Sequence, residues 1–190
     1  PRKEGLCMKI IDISKGIFST PVYPGDPEPE LLKIASLDEG DAFNLSVLKA
    51  SLHTGTHIDS PKHYFNSGAS VDELPLEKFI GKCFVVNGEN ISRMNFSGNI
   101  KILLLKGKKE TSIDTAEKII SKGFTTIGTE LDTIGDNEVH SFLLERNTAI
   151  IENLDLSGAE EGEYFIFAPP VKVEGSEGSF TRAVLLKDYL

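Results

Sequence analysis

Residues 53–63 read HTGTHIDSPKH and hold three of the four histidines in the 190-residue sequence. A helix would bring His53 and His57 together, but Gly55 and the β-branched residues around it disfavour one. In an extended strand alternate residues share a face, so His53, His57 and Asp59 project together. Gly55 lies between them on that face and leaves room for an ion or a ligand. The segment therefore predicts a strand with two imidazoles and a carboxylate on one side.

Two imidazole nitrogens and a carboxylate are a common ligand set for zinc, manganese or iron. The same residues could instead be ordinary polar strand residues or buried histidines with hydrogen-bond partners. The spacing His-x3-His-x-Asp, followed by His63 in a chain with only one other histidine, favours the metal site. Three protein ligands of this kind suffice for a hydrolytic centre.

Two residues far along the chain indicate a second metal position. Glu152 lies within the apolar segment 148–154, where a buried carboxylate needs a cation beside it. His140 falls in the first turn of a predicted helix, from which an imidazole is easily presented. The alternatives are an ion pair of Glu152 with Lys or Arg, and a surface position for His140. With Asp59 as a shared ligand, the two residues could complete a site for a second ion.

Along the rest of the chain, segments with strand patterns outnumber those with helix patterns. The predicted strands are residues 9–13, 43–52, 82–86, 101–105, 124–128, 148–154, 164–173 and 180–186. The last two flank residues 175–179, GSEGS, a pattern typical of a hairpin. Residues 19–29 hold four prolines and are predicted to form an extended, turn-rich loop.

Three segments carry helix patterns with caps or stop residues. They are residues 74–80, residues 112–122 after a cap at Thr111 or Ser112, and residues 137–146 after a cap at Asp136. No repeat or linker divides the sequence, so we expect one α/β domain over residues 8–190. Residues 1–7 are set apart as a native tail or a remnant of cloning.

Composition and charge disfavour several classes of function. The net charge of −9 makes nucleic acid and anionic membrane surfaces poor partners. No apolar run approaches the ~18 residues that a membrane-spanning helix requires. The N-terminus shows no signal-peptide pattern, so the cytoplasm is the expected compartment. Cys7 and Cys83 form neither a zinc motif nor a disulfide framework, and no Gly-x-Ser-x-Gly motif predicts a serine nucleophile.

Residues 53–63 resemble the hallmark His-x-Gly-Thr-His-x-Asp-x-Pro-x-His of the cyclase family of metal-dependent hydrolases, which includes bacterial kynurenine formamidase. Every fixed position of that hallmark is matched. Further matches run along nearly the whole chain, at residues 11–14, 21–26, 74–77, 151–154, 168–172, 178–179 and 182–184. The resemblance implies a compact α/β domain with a mixed, barrel-like β-sheet and a few flanking helices, assembled as a homodimer or homotetramer.

The resemblance also implies two divalent metal ions per subunit, zinc or manganese. His53, His57 and Asp59 would hold one ion. Asp59, His140 and Glu152 would hold the second, with both carboxylates shared between the ions. His63, which is not needed as a ligand, would be the general acid/base, and its ordinary pKa near neutrality suits that role.

The resemblance implies a small-molecule substrate with an aryl formamide-type bond, hydrolysed by a metal-activated water, and Tyr23 would line its pocket. The sequence departs from the formamidase pattern where it reads Glu130-Leu131-Asp132 instead of Asp-Ala-Pro, and Tyr23 replaces the usual Trp or Phe. A cyclic amide or ester such as isatin is therefore an alternative substrate. An alternative of another class is a metal-binding protein without catalysis.

Overall fold

The computed structural model describes residues 8–91 and 99–188, so the tail predicted at residues 1–7 lies outside the described part. The strands in that part are β1 (Lys9–Asp12), β2 (Glu30–Ala35), β3 (Leu45–Lys49), β4 (His57–Asp59), β5 (Ile80–Asn87), β6 (Ile102–Lys106), β7 (Thr126–Thr129), β8 (Ala149–Glu152), β9 (Gly162–Phe167), β10 (Gly178–Phe180) and β11 (Val184–Lys187). The α-helices are α1 (Ile113–Ser121) and α2 (Asn137–Glu145).

Nine of these strands form one mixed sheet, in the order β1-β11-β9-β5-β6-β7-β8-β4-β10. Strands β5 to β8 run parallel to one another, and the remaining neighbours are antiparallel. The sheet curls into a half-barrel with few helices against it. The expected α/β domain with a mixed, barrel-like sheet is therefore confirmed.

Strand β6 has both faces buried, which explains its unbroken apolar sequence. Leu103 and Leu105 pack in one core cluster with residues of α1 and α2. Ile102 and Leu104 pack in a second cluster with the other strands of the sheet. The sheet therefore lies between two apolar layers, only one of which includes the helices.

Both longer helices are confirmed, and each begins at a predicted cap. The Thr115 N–H donates a hydrogen bond to the side chain of Ser112 at 3.4 Å, and the Val139 N–H donates to Asp136 at 3.0 Å. These bonds satisfy backbone donors that a helix start leaves without partners. No helix within residues 8–91 or 99–188 combines the length and apolar character needed to cross a membrane.

Residues 74–80 do not form the predicted helix. Pro75 has extended backbone with ψ of 139°, and within this segment only a short 3-10 turn, at Leu76–Lys78, precedes β5. Strand β5 already begins at Ile80 and pairs with β6 and β9. Strand pairing in the centre of the sheet therefore outweighs the local helix pattern.

The hairpin predicted around residues 175–179 is confirmed in its pairing. Strands β9 and β11 pair antiparallel, and the same register continues towards the turn, where Pro170 pairs with Thr181 and the Val171 N–H donates a hydrogen bond to the Phe180 carbonyl at 3.0 Å. The turn is shorter than predicted, because Gly178 and Ser179 belong to β10, which also pairs with β4. The glycine at position 178 serves a close packing contact within a strand, not a turn.

Strands β2 and β3 form a separate two-stranded sheet, here called the apolar hairpin (residues 30–49). Strand β2 was not predicted, and β3 confirms only part of the strand predicted over residues 43–52. Large apolar side chains of the hairpin are exposed, namely Leu31, Leu32, Ile34, Leu37, Phe43, Leu45, Val47 and Leu48. Residues 19–29 before it contain no helix or strand, as predicted.

Candidate metal centre

Strand β4 supplies two site residues and pairs along both of its edges. Across one edge His57 faces Glu152 of β8, and across the other Asp59 faces Gly178 of β10. Alternation along the strand points His57 and Asp59 to the same face, while Ile58 enters the core. Sheet register thus places a histidine and two carboxylates in one buried region.

His53 reaches this region through a turn, not along the predicted strand. Strand β4 covers only residues 57–59, and Gly55 has φ of +67°, a conformation that favours glycine. The backbone of Ile17 fills the space that a side chain at Gly55 would occupy: a Cβ atom there would lie 3.2 Å from the Cα atom of Ile17. This space is therefore not open to an ion. The prediction of one strand face is therefore wrong for His53 and Gly55. The turn still brings His53 Nδ1 to 2.9 Å from Asp59 Oδ1.

Five side chains converge at this point. His57 Nε2 lies 3.3 Å from Asp59 Oδ1 and 3.5 Å from Glu152 Oε2. His140 Nε2 lies 3.1 Å from Glu152 Oε1 and 3.6 Å from Asp59 Oδ2. The ligand atoms of His53, His57 and Asp59 lie within 4.8 Å of one another, as do those of Asp59, His140 and Glu152. The structure thus brings together both groups of residues that the sequence singled out.

Glu152 does not pair with Lys or Arg among the described residues, and His140 does not lie at the surface. Within residues 8–91 and 99–188, the ion pairs of Glu152 are with His57 and His140, and none is with Lys or Arg. Glu152 Oε1 also accepts a hydrogen bond from the Ile134 N–H at 2.7 Å. His140 is only 5% exposed, although it lies near the start of α2. Both residues are therefore buried parts of the cluster.

The two carboxylates dominate the electrostatics of the cluster. Burial opposes protonation of His57 and His140, but hydrogen bonds with Asp59 and Glu152 outweigh it and raise the pKa of each imidazole to about 10. Burial also acts to raise the pKa of Asp59, yet hydrogen bonds from His140, His53 and His57 hold it well below its usual range. The cluster therefore attracts positive charge, either as protons on the imidazoles or as a cation.

Two imidazoles present a nitrogen atom suited to a metal ion. His57 Nδ1 donates a hydrogen bond to the Gly55 carbonyl at 2.9 Å, so that Nε2, which faces the carboxylates, becomes a ligand once it gives up its proton. His53 Nε2 is buried and makes no hydrogen bond with any described residue, while Glu177 Oε1 lies 3.6 Å away. Imidazole nitrogens with carboxylate oxygens suit a divalent ion, so the donors fit the expected cofactor class.

The cluster opens into a cavity of about 540 Å³. His63 lines this cavity, with its ring centroid 4.3 Å from that of His53 and 6.4 Å from that of His140. Partial desolvation lowers the pKa of His63 below its ordinary value. Tyr23 also lines the cavity and is 54% exposed. The structure therefore places both remaining predicted site residues at the same cavity.

Sequence reasoning missed Tyr64, which also lines the cavity. Its ring stacks on that of His140, with centroids 5.4 Å apart and an angle of 8° between the planes. Its hydroxyl donates a hydrogen bond to Asn137 Oδ1 at 2.8 Å. In the sequence, the feature that could have indicated a site role for Tyr64 is its position directly after His63. Gly178 was also missed, because its contact with His53 depends on the placement of β10.

The departure from the formamidase pattern at residues 130–132 has two structural consequences. Both carboxylate oxygens of Glu130 accept backbone hydrogen bonds, from the Gly107 N–H at 2.7 Å and the Leu156 N–H at 2.8 Å. Asp132 lines the cavity instead. Glu130 therefore connects two loops, whereas Asp132 contributes charge to the cavity wall.

Comparisons with known proteins point to one family. The family model described as "Putative cyclase" matches residues 11–119. The kynurenine formamidase of Salinibacter ruber (strain DSM 13855 / M31) is 29% identical over 94% of this chain and 97% of its own length. The kynurenine formamidase of Bacillus cereus (strain ATCC 14579) is 30% identical over 92% of this chain and 96% of its own length.

Solved structures share the fold. A predicted metal-dependent hydrolase from Bacillus stearothermophilus superposes with a TM-score of 0.79 at 24% identity, covering 95% of this chain and 98% of that one. An isatin hydrolase bound to the product analogue thioisatinate superposes with a TM-score of 0.80 at 16% identity, covering 95% of this chain and 92% of that one. Because both identities are below 25%, these superpositions show a shared fold.

The fold, the site and the formamidase relatives together define an enzyme of the hydrolase class. The alternative of a metal-binding protein without catalysis is therefore set aside. Within the hydrolases, the chain belongs to the cyclase family, whose model matches more than half of its residues. The resemblance seen in residues 53–63 is confirmed.

Proposed function

We propose that this chain hydrolyses an amide bond of the aryl formamide type with the help of divalent metal ions. The observation that carries the proposal is the convergence of two His/Asp/Glu groups at the floor of one cavity. The kynurenine formamidase relatives support an amide as the substrate class, since they match over more than nine-tenths of the chain.

In this proposal the centre would hold two ions, zinc or manganese. His53, His57 and Asp59 would hold one ion, and Asp59, His140 and Glu152 would hold the other. When bound, the ions would lower the pKa of a water molecule and polarise the substrate carbonyl. The Gly55 carbonyl keeps His57 in the tautomer that offers Nε2 as a ligand.

His63 is proposed as the general acid/base. Its lowered pKa leaves the imidazole neutral at pH 7, so it can accept a proton from the attacking water. The water oxygen bonds to the acyl carbon, the C–N bond breaks, and His63 passes the proton to the leaving nitrogen. A formamide therefore yields formate and an amine. Tyr23 and Tyr64 are placed to contact the organic part of the substrate, because both line the cavity.

A cyclic amide such as isatin is the second candidate substrate. The reason to consider it is that the sequence departs from the formamidases at residues 130–132, where Asp132 lines the cavity in which the substrate would be recognised. An isatin hydrolase has the same fold. A ring-opening reaction would use the same ions and the same histidine, so the substrate alone distinguishes the two candidates.

We also propose that the protein assembles as a homodimer or homotetramer through the apolar hairpin. Leu31, Ile34 and Phe43 are each 59% exposed, and burying one such side chain stabilises a protein by roughly 1.5–3 kcal/mol. Exposed apolar patches of this kind mark interaction sites in many proteins. A second copy presents the same hairpin, so a two-fold contact would cover both surfaces.

The cytoplasmic location stays a prediction.

A substrate panel tests the proposed reaction. Protein loaded with zinc or with manganese is assayed on N-formyl anilines, on isatin and on aryl esters, by product detection. We expect formamides to be cleaved with the highest kcat/KM. Preferential opening of isatin would replace the first candidate with the second. Binding of zinc and manganese without turnover of any member would contradict both.

A further inference from the structure

The cavity wall is rich in carboxylates. Six carboxylates and four imidazoles line the cavity, and no Lys or Arg does so within residues 8–91 and 99–188. Asp59 and Glu152 belong to the metal centre at its floor. Asp136 is engaged in capping α2. The remaining acids, Asp26, Glu110 and Asp132, are not accounted for by the proposed chemistry.

These three acids come from three separate segments and meet around one cavity; we call them the acidic rim. No hydrogen bond or ion pair of their carboxylates is found in the described part of the chain, and all three are partly or largely exposed. Carboxylates with a structural role in this protein do have such partners. Both oxygens of Glu130, for example, accept backbone hydrogen bonds. The acidic rim therefore keeps its charge available for a ligand.

Nearby lysines do not neutralise the acidic rim. Lys108 and Lys109 directly precede Glu110, but they line a different depression beside Gly107. Lys62 directly precedes His63, but it does not line the cavity. A negative potential around the cavity mouth therefore persists, and it attracts cations and repels anions.

The cavity is also polarised along its depth once the centre is loaded. Bound divalent ions would offset the charges of Asp59 and Glu152 at the floor, whereas Asp26, Glu110 and Asp132 keep theirs at the rim. A substrate that fits this pattern has an electron-rich carbonyl at one end and a positive group at the other. An anionic substituent would meet the acidic rim and lose affinity.

We propose that the acidic rim selects amides whose amine part carries a positive charge, such as a protonated alkylamine. This inference rests on the proposed amide hydrolysis and specifies its substrate class. Asp132 is the decisive residue, because it comes from the segment where the sequence departs from the formamidase pattern. The reaction itself is unchanged: water adds to the acyl carbon, the C–N bond breaks, and the amine leaves with the added proton.

Three formanilides with the same scissile bond test the charge preference. They carry a para aminomethyl group, a para methyl group or a para carboxymethyl group, which are cationic, neutral and anionic at pH 7. With zinc-loaded protein at low ionic strength, we expect kcat/KM to fall in that order, by about tenfold per step, or about 1.4 kcal/mol. Added salt should reduce the differences, because the rim is exposed.

Two variants assign the preference to the rim. Asp132→Asn should reduce the cationic-to-neutral ratio of kcat/KM several-fold, and Asp132→Lys should favour the anionic compound. Glu138→Gln is the matched control, since it removes an exposed acid on α2 that does not line the cavity. An equal effect of Asp132→Asn and Glu138→Gln, or an anionic compound that is cleaved as well as the cationic one, would overturn the proposal.

A binding experiment decides the inference even without turnover. Calorimetry with the three aniline products on zinc-loaded protein should give the same order of affinity, with the difference reduced by Asp132→Asn. Absence of turnover combined with this order would reject the proposed amide hydrolysis but keep the charge preference. Equal affinities for the three anilines would reject the charge preference alone.

Discussion

His57 and Glu152 face each other across the β4–β8 pair, with His57 Nε2 3.5 Å from Glu152 Oε2. The two residues are far apart in the sequence, and antiparallel register brings them together. The Ile134 N–H fixes the carboxylate by donating a hydrogen bond to Oε1 at 2.7 Å. Three of the five candidate ligands, His57, Asp59 and Glu152, therefore lie on strands, where side-chain positions are well defined.

Glu152→Gln tests whether this carboxylate holds an ion. The amide oxygen can still accept the hydrogen bond from the Ile134 N–H, so the fold should be retained, but the negative charge is lost. We expect zinc affinity to fall by roughly 10- to 100-fold or more, as measured by competition with a chromophoric chelator. Glu138→Gln on the surface of α2 should leave affinity unchanged. Unaltered zinc binding by Glu152→Gln would remove Glu152 from the ligand set.

The part of the site contributed by β8 and α2 could be predicted from the sequence. The apolar segment around Glu152 implies a buried strand, and a buried carboxylate implies a cation partner. The cap at Asp136 fixes the start of α2 and hence the position of His140. These inferences depend on local pattern and burial, which the sequence carries directly.

The rest depends on contacts between distant segments. The turn at Gly55 was not predicted, because alternate residues at 53, 57 and 59 fit a strand equally well. The hairpin turn was predicted to include Gly178, which instead lies in β10, because a glycine satisfies a turn pattern as well as a close packing contact. Both errors share a cause: a glycine can indicate either a backbone conformation or a missing side chain, and only the neighbouring segment distinguishes the two.

His63→Ala and Asp59→Ala should separate catalysis from metal binding. His63 lies beside the cluster and belongs to neither group of candidate ligand atoms found among the described residues. His63→Ala should therefore keep its metal content and lose roughly 10²- to 10⁴-fold in kcat. Asp59 belongs to both groups, so Asp59→Ala should lose the bound metal. Metal analysis of the purified variants, paired with formamide assays, checks both; metal loss from His63→Ala would refute the division of roles.

Metal binding should release protons at neutral pH. The pKa of His57 and of His140 is about 10 without an ion, so both imidazoles are protonated at pH 7. The protons stabilise the metal-free fold fully below the unfolded-state pKa of about 6.5, and this contribution is lost as pH rises through about 10. A metal ligand must be neutral, so zinc displaces these protons and affinity rises with pH.

Calorimetric titration with zinc in buffers of different ionisation enthalpy measures this release. We expect close to two protons per subunit at pH 7, and about one fewer in His140→Gln, which has no ionisable group at that position. The same observed enthalpy in every buffer would show that His57 and His140 are neutral before the ion binds.

Charge placed on the apolar hairpin should dissociate the proposed oligomer. Leu31→Lys and Ile34→Lys each put a charge where an apolar side chain is 59% exposed, so neither should disturb the core. We expect light scattering after gel filtration to show a dimer or tetramer for the unaltered protein and a monomer for the double variant. Val171→Lys is the control, because Val171 is also exposed but lies outside the hairpin. A monomeric unaltered protein would contradict the proposed assembly.

Gly178→Ala should disturb the centre through packing alone. Gly178 faces Asp59 in the β4–β10 pair, and a Cβ atom there would lie 2.7 Å from Cε1 and 2.9 Å from Nε2 of His53. His53 must therefore move away from the cluster, although no candidate ligand has been replaced. We expect zinc affinity and formamide turnover to fall about tenfold or more, in the range seen when the surroundings of a ligand are altered.

Gly88→Ala is the matched control, because a Cβ atom at Gly88 would meet only the Lys106 carbonyl oxygen, at 3.9 Å. It adds the same methyl group directly after β5 and should leave zinc binding unchanged. If Gly178→Ala binds zinc as tightly as Gly88→Ala while the fold is intact by circular dichroism, the position of the His53 ring is not important for the ion. His53 would then leave the proposed ligand set, and the first ion would depend on His57 and Asp59.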